Sequence, residues 1–364
     1  MEGNLIGRRT VLRTAGALAA ATAVTGCGTL TGSGESRTSS GGGKKRLVVS
    51  NSGGAYNDAL VKAIYEPFTK ETGITVTTVN YQSAQVIAQV KQGRPQVDLM
   101  DNGLLIFQKM ARLDCLEPVD YDRLKNVKGS GIAEDQLPEH AVGKNVWASV
   151  MAYRTDSLKR APRNWADFWN THSFSGPRSL QSVEVDLPEL EFALLADGVP
   201  LDKLYPLDVD RAFASMSRIR GDVKKFWNTG ALPAVLLGRK EVVATSLWGG
   251  RADELIKQGQ PVAYQWNGAR RMTNGWGIPK GADNTDAAYK LIDFSLRPEV
   301  QAAFAKLYSG SPVVPAAVKL LSEDDLVNQP TSPKNLKTGF DADVAWWDKN
   351  RDAVAKRWQE WADA

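Results

Sequence analysis

The 364-residue sequence predicts an α/β protein of two lobes. Its length exceeds what one hydrophobic core, which stops growing near about 250–300 residues, usually serves. Its composition, 43% hydrophobic and 24% charged, is that of a globular chain and excludes wholesale disorder. From Arg46 onward, short apolar runs alternate with helical periods, the pattern of a parallel sheet covered by helices.

The first segment, Met1–Gly26, reads as an export leader. Arg8 and Arg9 supply a charged start, and Ala15–Val24 is an apolar stretch of ten residues. That stretch is too short to span about 30 Å of hydrocarbon as a stable helix. Gly7–Arg13 resembles a twin-arginine signal, and Val24-Thr25-Gly26-Cys27 resembles a bacterial lipobox. Cys27 is therefore the expected lipid attachment point, since two acyl chains hold a protein stably at a bilayer. The expected location is the outer face of the cytoplasmic membrane. Residues 28–45 follow, with thirteen of eighteen being Gly, Ser or Thr, the composition of a flexible tether.

Cleavage would remove three arginines and one glutamate from 45 basic and 41 acidic residues, leaving 42 and 40. That balance, with no long basic run, gives no sign of nucleic-acid binding. Mean hydropathy of −0.31 argues against a polytopic membrane protein. With Cys27 lipidated, Cys115 is left without a disulfide partner, and its neighbours Leu113, Leu116 and Val119 suggest buried packing. Two histidines, His140 and His172, offer little for metal binding or His-based catalysis.

The body begins with a strand at Arg46–Ser50 and a turn at Asn51–Gly54. Asn57 or Asp58 can cap a helix carrying Leu60, Ile64 and Phe68 on one face, which Gly73 ends. Ile74–Asn80 is rich in β-branched residues and reads as a strand. Ser83–Lys91 is expected helical, Val97–Met100 extended and Leu104–Arg112 helical. In such sheets ligands bind at loops leaving the carboxyl ends of the strands, which singles out Ser52–Tyr56, Tyr81–Ser83 and Asp101–Gly103.

A second region starts near Val146. Helices are expected at Trp165–Asn170, Leu187–Asp197, Val209–Arg220 and Leu232–Gly238, with strands at Val223–Trp227, Glu241–Leu247 and Pro261–Trp266. A helix over Thr285–Tyr308 should break at Arg297-Pro298. In the last helix, Ala345–Ala364, the spacing of Trp347, Val354, Trp358 and Trp361 makes an apolar stripe.

The order of several segments resembles the bacterial extracellular solute-binding proteins. Phe68–Val76, Pro95–Leu99, Asn164–Trp169 and Ile278–Ala282 with Asp286–Tyr289 and Leu296–Glu299 carry the likeness. The branch it is most similar to is the spermidine/putrescine-binding proteins of ABC importers. The resemblance implies a type II periplasmic-binding-protein fold, two α/β lobes joined by hinge strands around a ligand cleft. It implies one lobe from residues 46–148 plus 275–315, a second from 149–274, and a C-terminal helical segment, 316–364, packing on both. It also implies no catalysis, no cofactor and no metal, a monomer, and permease subunits with a separate ATPase as partners.

For a polyamine, carboxylates would take the ammonium ends and aromatic walls the methylenes. The resemblance places Trp248, in Ser246–Gly250, as a pocket wall, and Glu184 with Asp186 as an acidic clamp. Ser52, Tyr56, Asp101, Trp227 and Trp276 lie at strand ends or turns facing the expected cleft. Two departures weaken the polyamine reading. The family's cleft carboxylate is the amide Asn274, and Arg251, after Trp248-Gly249-Gly250, suits a carboxylate or phosphonate. An amino-acid-derived, opine-like or phosphonate solute is the alternative. A secreted hydrolase or a ligand-sensing surface receptor are the readings from other classes. Neither histidine sits in a metal-ligand or nucleophile spacing that would favour the hydrolase.

Overall fold

The protein is described by a computed structural model covering residues 46–185 and 187–363. The leader, Cys27, the tether and Asp186 lie outside the described residues.

Among the described residues ten strands form one sheet: β1 (Arg46–Ser50), β2 (Thr75–Val79), β3 (Leu99–Gly103), β4 (Val142–Arg154), β5 (Arg178–Gln181), β6 (Val223–Trp227), β7 (Ala244–Trp248), β8 (Val262–Gly277), β9 (Ser311–Pro312) and β10 (Phe340–Asp341). The order along the sheet is β2-β1-β3-β8-β4-β7-β5-β6. At one end, β2, β1 and β3 pair in parallel. At the other, β7, β5 and β6 do the same. Between them, β4 and β8 run antiparallel from Val142 opposite Trp276 to Arg154 opposite Val262. Two parallel α/β ends joined by two long shared strands make the two-lobed architecture.

Helices cover each end. Around the first lie α1 (Gly54–Leu60), a π-turn (Val61–Tyr65), α2 (Glu66–Thr72), α3 (Ser83–Lys91) and α4 (Leu104–Arg112). Around the second lie α5 (Trp165–Trp169), α6 (Leu190–Ala196), α7 (Val209–Ile219), α8 (Leu232–Gly238) and α9 (Gly249–Lys257); α10 (Thr285–Ser295) and α11 (Pro298–Leu307) return to the first. Leu60, Ile64 and Phe68 are buried as their spacing requires, although the π-turn interrupts that helix. Its N-cap is Gly53, at φ 67°, and no side chain caps it; the expected caps Asn57 and Asp58 lie inside the helix. Gly73 closes α2 in the left-handed region at φ 71°. The break at Arg297-Pro298 separates α10 from α11, with Arg297 extended ahead of the proline.

One strand was expected far too short. Pro261–Trp266 is the first part of β8, which continues to Gly277. Asn267-Gly268 resembles a turn locally, with Gly268 at φ 76°. Ladder bonds to β4, and then to β3 through Met100–Gly103, keep the chain extended beyond it.

The apolar interior follows the two ends. Leu47, Val49, Phe68, Leu99, Leu291 and Phe304 belong to the first core. Trp165, Phe168, Phe192, Phe213 and Met216 belong to the second. The C-terminal helix, Val344–Asp363, adds Trp347, Val354 and Trp358 to that second core. Fully burying side chains of this size is worth roughly 1.5–3 kcal/mol each. The buried Glu191 carboxylate fixes this helix: it accepts from Trp347 Nε1 at 2.7 Å, Tyr205 OH at 2.5 Å and Arg270 Nη1 at 2.9 Å. Cys115 is fully buried beside Leu116, whereas Leu113 is exposed.

Candidate ligand cleft

In the sheet, β3, β8 and β4 lie between β1 and β7, and the carboxyl ends of such parallel strands are the position that open sheets use for ligands. Gly54, after β1, and Arg251, after β7, meet there. A Cβ built on Gly54 would lie 2.8 Å from Arg251 Nη1. With Gly54 at φ 61° and no side chain, the guanidinium rests directly on the backbone. The Arg251 side chain is mostly buried, and its Nη1 bonds Glu254 Oε2 at 3.2 Å. Its Nε has no acceptor among the described residues.

β4 supplies the middle of the cleft. Its ladder shifts register between Gly143 and Asn145 and again between Ser149 and Met151. Between those shifts Asn145, Trp147 and Ser149 alternate onto one face. Ser149 lies opposite Trp248, and the Trp147 and Trp248 rings meet edge to face at 5.6 Å. Trp227 stands against Trp248 at 6.2 Å. The other side of the Trp248 ring is covered by Gly230, where any Cβ would collide at 2.1 Å. Trp227 is fully buried, and its N–H donates to Ser246 Oγ at 3.1 Å. Four buried polar atoms along this surface have no partner among the described residues: Asn145 Nδ2, Trp147 Nε1, Ser149 Oγ and Trp248 Nε1.

A charged cluster lies at the first lobe's edge of the cleft. Tyr56 OH donates to Asp101 at 2.8 Å, and Lys144 Nζ reaches both Tyr56 OH, at 2.6 Å, and the Asp101 carboxylate. Asn274 Nδ2 donates to Tyr56 OH at 3.2 Å. The Lys144 ammonium also stands 4.3 Å from the centre of the Trp276 ring, a cation–π distance. Burial pushes the Asp101 carboxyl up and the Lys144 ammonium down, and the charge of each opposes that shift in the other. Burial, then the Asp101 charge, drives the Tyr56 phenol well above its ordinary value.

Tyr56, Asp101, Asn274 and Trp276 are thus together, but around a lysine that the sequence did not single out. Asp101 is committed to Lys144 and Tyr56 and does not cap α4, whose N-cap is Gly103. Trp276 is fully buried and donates to Ser295 Oγ at 2.8 Å. Trp227, Trp248 and Arg251 gather at the carboxyl ends of β6 and β7. Ser52 and Glu184 are exposed on loops, after β1 and β5. Sequence reasoning missed Lys144, Asn145, Trp147 and Ser149 as cleft residues. The available signal was a polar and aromatic alternation inside an otherwise apolar run. Among the described residues no group of three or more His, Cys, Asp or Glu side chains could hold a metal ion. Among them, too, no helix is long and apolar enough to cross a membrane.

The model of the family described as "Bacterial extracellular solute-binding protein" matches residues 63–363. A gamma-aminobutyric acid-binding protein of Pseudomonas aeruginosa is 32% identical over 327 residues, covering 87% of this chain and 90% of that protein. The spermidine/putrescine-binding periplasmic protein of Escherichia coli is 24% identical over 295 residues, 78% of this chain and 82% of that one. Among solved structures, an ABC transporter substrate-binding protein from Bradyrhizobium japonicum USDA 110 superposes with a TM-score of 0.82 at 30% identity, covering 87% of this chain and 99% of that one. Two parallel α/β ends facing each other across paired long strands, and a family match over most of the length, agree: the chain belongs to the bacterial extracellular solute-binding proteins.

Proposed function

We propose that the chain is the extracytoplasmic receptor of an ABC importer for a small organic acid, held at the membrane through Cys27. The observation that carries the solute class is Arg251: a mostly buried guanidinium at the cleft, against the bare backbone of Gly54, with Nε unpartnered. A carboxylate would complete it by a charge-assisted pair of bonds. The polyamine preference expected from the sequence loses its support at the same place. The Asp101 carboxylate is already neutralised by Lys144, and position 274 is an amide. A relative named for gamma-aminobutyric acid, itself a carboxylate, supports the same class.

In this reading residues 46–148 and 275–315 form the lobe on one side of the cleft and 149–274 the lobe on the other. The solute would be enclosed as they close, and a permease would read the closed form. Export by the twin-arginine leader and lipidation of Cys27 belong to the same proposal.

Thermal-shift titration of the purified chain with 4-aminobutyrate and putrescine tests the solute class, the two probes differing in one carboxylate. Stabilisation by 4-aminobutyrate or another carboxylate is expected, and Arg251→Ala should lower carboxylate affinity by about ten- to a hundredfold, as for a charge-assisted bond. Stabilisation by putrescine alone would sink the carboxylate reading.

A further inference from the structure

Arg251 accounts for one end of a solute, and the other end is described by the unpartnered atoms on β4 and β7. Asn145 Nδ2, Trp147 Nε1 and Trp248 Nε1 can only donate, and the Ser149 hydroxyl can donate. Asn145 and Ser149 are 1% and 0% exposed, so water does not serve them from the surface. Trp147 and Ser149 share a β4 face, and Ser149 stands opposite Trp248 in the ladder, so three of the donors are adjacent. Buried polar groups left unmet are costly, about 1–3 kcal/mol each, and native structures keep few of them. A cluster of four in a ligand cleft is explained by a ligand that meets them.

Three carboxylates on the neighbouring elements are already engaged. Asp101 is bound by Lys144 and Tyr56. Glu254 is paired with Arg251. Asp253 accepts from Tyr264 OH at 2.7 Å, beside a cavity of about 240 Å³ lined by Ala55, Gly250, Glu254 and Tyr308. An ammonium group placed against Trp147, Trp248 and Ser149 would find the Ser149 hydroxyl and the indole faces but would leave both indole N–H groups unmet.

We infer that the solute carries hydrogen-bond acceptors at both ends, as a hydroxy acid or a dicarboxylic acid does, one end meeting Arg251 and the other the indole N–H groups of Trp147 and Trp248 with Ser149 and Asn145. This rests on the carboxylate reading of Arg251 and narrows it. The two tryptophans then act as hydrogen-bond donors as well as walls, which separates them from Trp227, whose N–H is already spent on Ser246.

The test is a thermal-shift and calorimetric series on the purified chain using unbranched probes of three to six carbons. Four kinds are compared at each length: diamine, ω-amino acid, ω-hydroxy acid and dicarboxylate. The hydroxy acid or dicarboxylate should bind best. Trp147→Phe and Trp248→Phe keep an aromatic wall but lose the donor, and each should weaken that probe about three- to tenfold, the worth of a hydrogen bond. Trp227→Phe should change its affinity less than either. A series led by the ω-amino acids overturns this inference and leaves the carboxylate reading standing. A series led by diamines overturns both readings. Affinity unchanged in both Trp147→Phe and Trp248→Phe, or no stabilisation by any member of the series, also counts against the inference.

Discussion

Replacing Lys144 with methionine removes the positive half of an ion pair that has almost no access to water. The Lys144 and Asp101 side chains are 1% and 0% exposed. Asp101 would keep only the Tyr56 hydroxyl as a donor, at 2.8 Å. An uncompensated buried charge of this kind costs about 3–5 kcal/mol. At about 2 °C of Tm per kcal/mol for a chain of this size, the midpoint should fall by about 6–10 °C. Asp101→Asn alone should be destabilising for the mirror reason, leaving a buried ammonium among the Tyr56, Trp276 and Phe304 rings. The Lys144→Met, Asp101→Asn double variant removes both charges, so it should lose less than the sum of the singles, with a coupling of about 2 kcal/mol or more. Urea unfolding followed by tryptophan fluorescence, with differential scanning calorimetry, measures all three. Because the two charges are spent on each other, Asp101→Asn should keep its affinity for the preferred acid. If Lys144→Met unfolds within 1 kcal/mol of the parent, by the ordinary scale of surface substitutions, the reasoning fails. Strict additivity in the double variant, or loss of solute binding by a folded Asp101→Asn chain, refutes it equally.

Two further outcomes can be checked with the same instruments. Glu189 is fully buried, and although Gln181 N–H donates to it at 2.9 Å, burial pushes its carboxyl up from 4.5 to about 7. The folded state therefore holds a proton that the unfolded chain has released, so this contribution to stability is full below pH 4.5 and is lost as pH rises to 7. The loss is about 3 kcal/mol, and Glu189→Gln should flatten the fall in Tm across that window; an unchanged profile would remove Glu189 as its cause. Gly54→Ala introduces a Cβ at φ 61° and 2.8 Å from Arg251 Nη1. It should cost roughly 1–2 kcal/mol for the left-handed backbone, and, by displacing the guanidinium, weaken carboxylate binding in calorimetry; an undisturbed affinity would show that Arg251 does not need that seat.

Much of the fold was legible because its signals are local. The apolar run Arg46–Ser50, the helices Ser83–Lys91, Leu104–Arg112 and Leu232–Gly238, and the strand Val223–Trp227 occur where their residues place them. The proline break after Arg297 and the tryptophan stripe of the last helix are equally local, set by one ring and by one period. The second half of β8 was not legible, because Asn267-Gly268 looks like a turn and only the ladders to β4 and β3 overrule it.

The cleft divides in the same way. Sequence by itself determined the family, the aromatic and arginine content of the β7 loop, and the amide at position 274. Tertiary structure decided what each of these groups touches. Asp101 looks like a ligand carboxylate until Lys144, 43 residues further on, is folded against it. Trp276 and Trp227 look like walls until Ser295 and Ser246 take their N–H groups. Trp147 carries no mark in the sequence that its own N–H stays unpaired. The physical reason is that a polar atom's role depends on whether its hydrogen-bonding capacity is already met. That capacity is met by partners brought from distant strands, which no local pattern encodes.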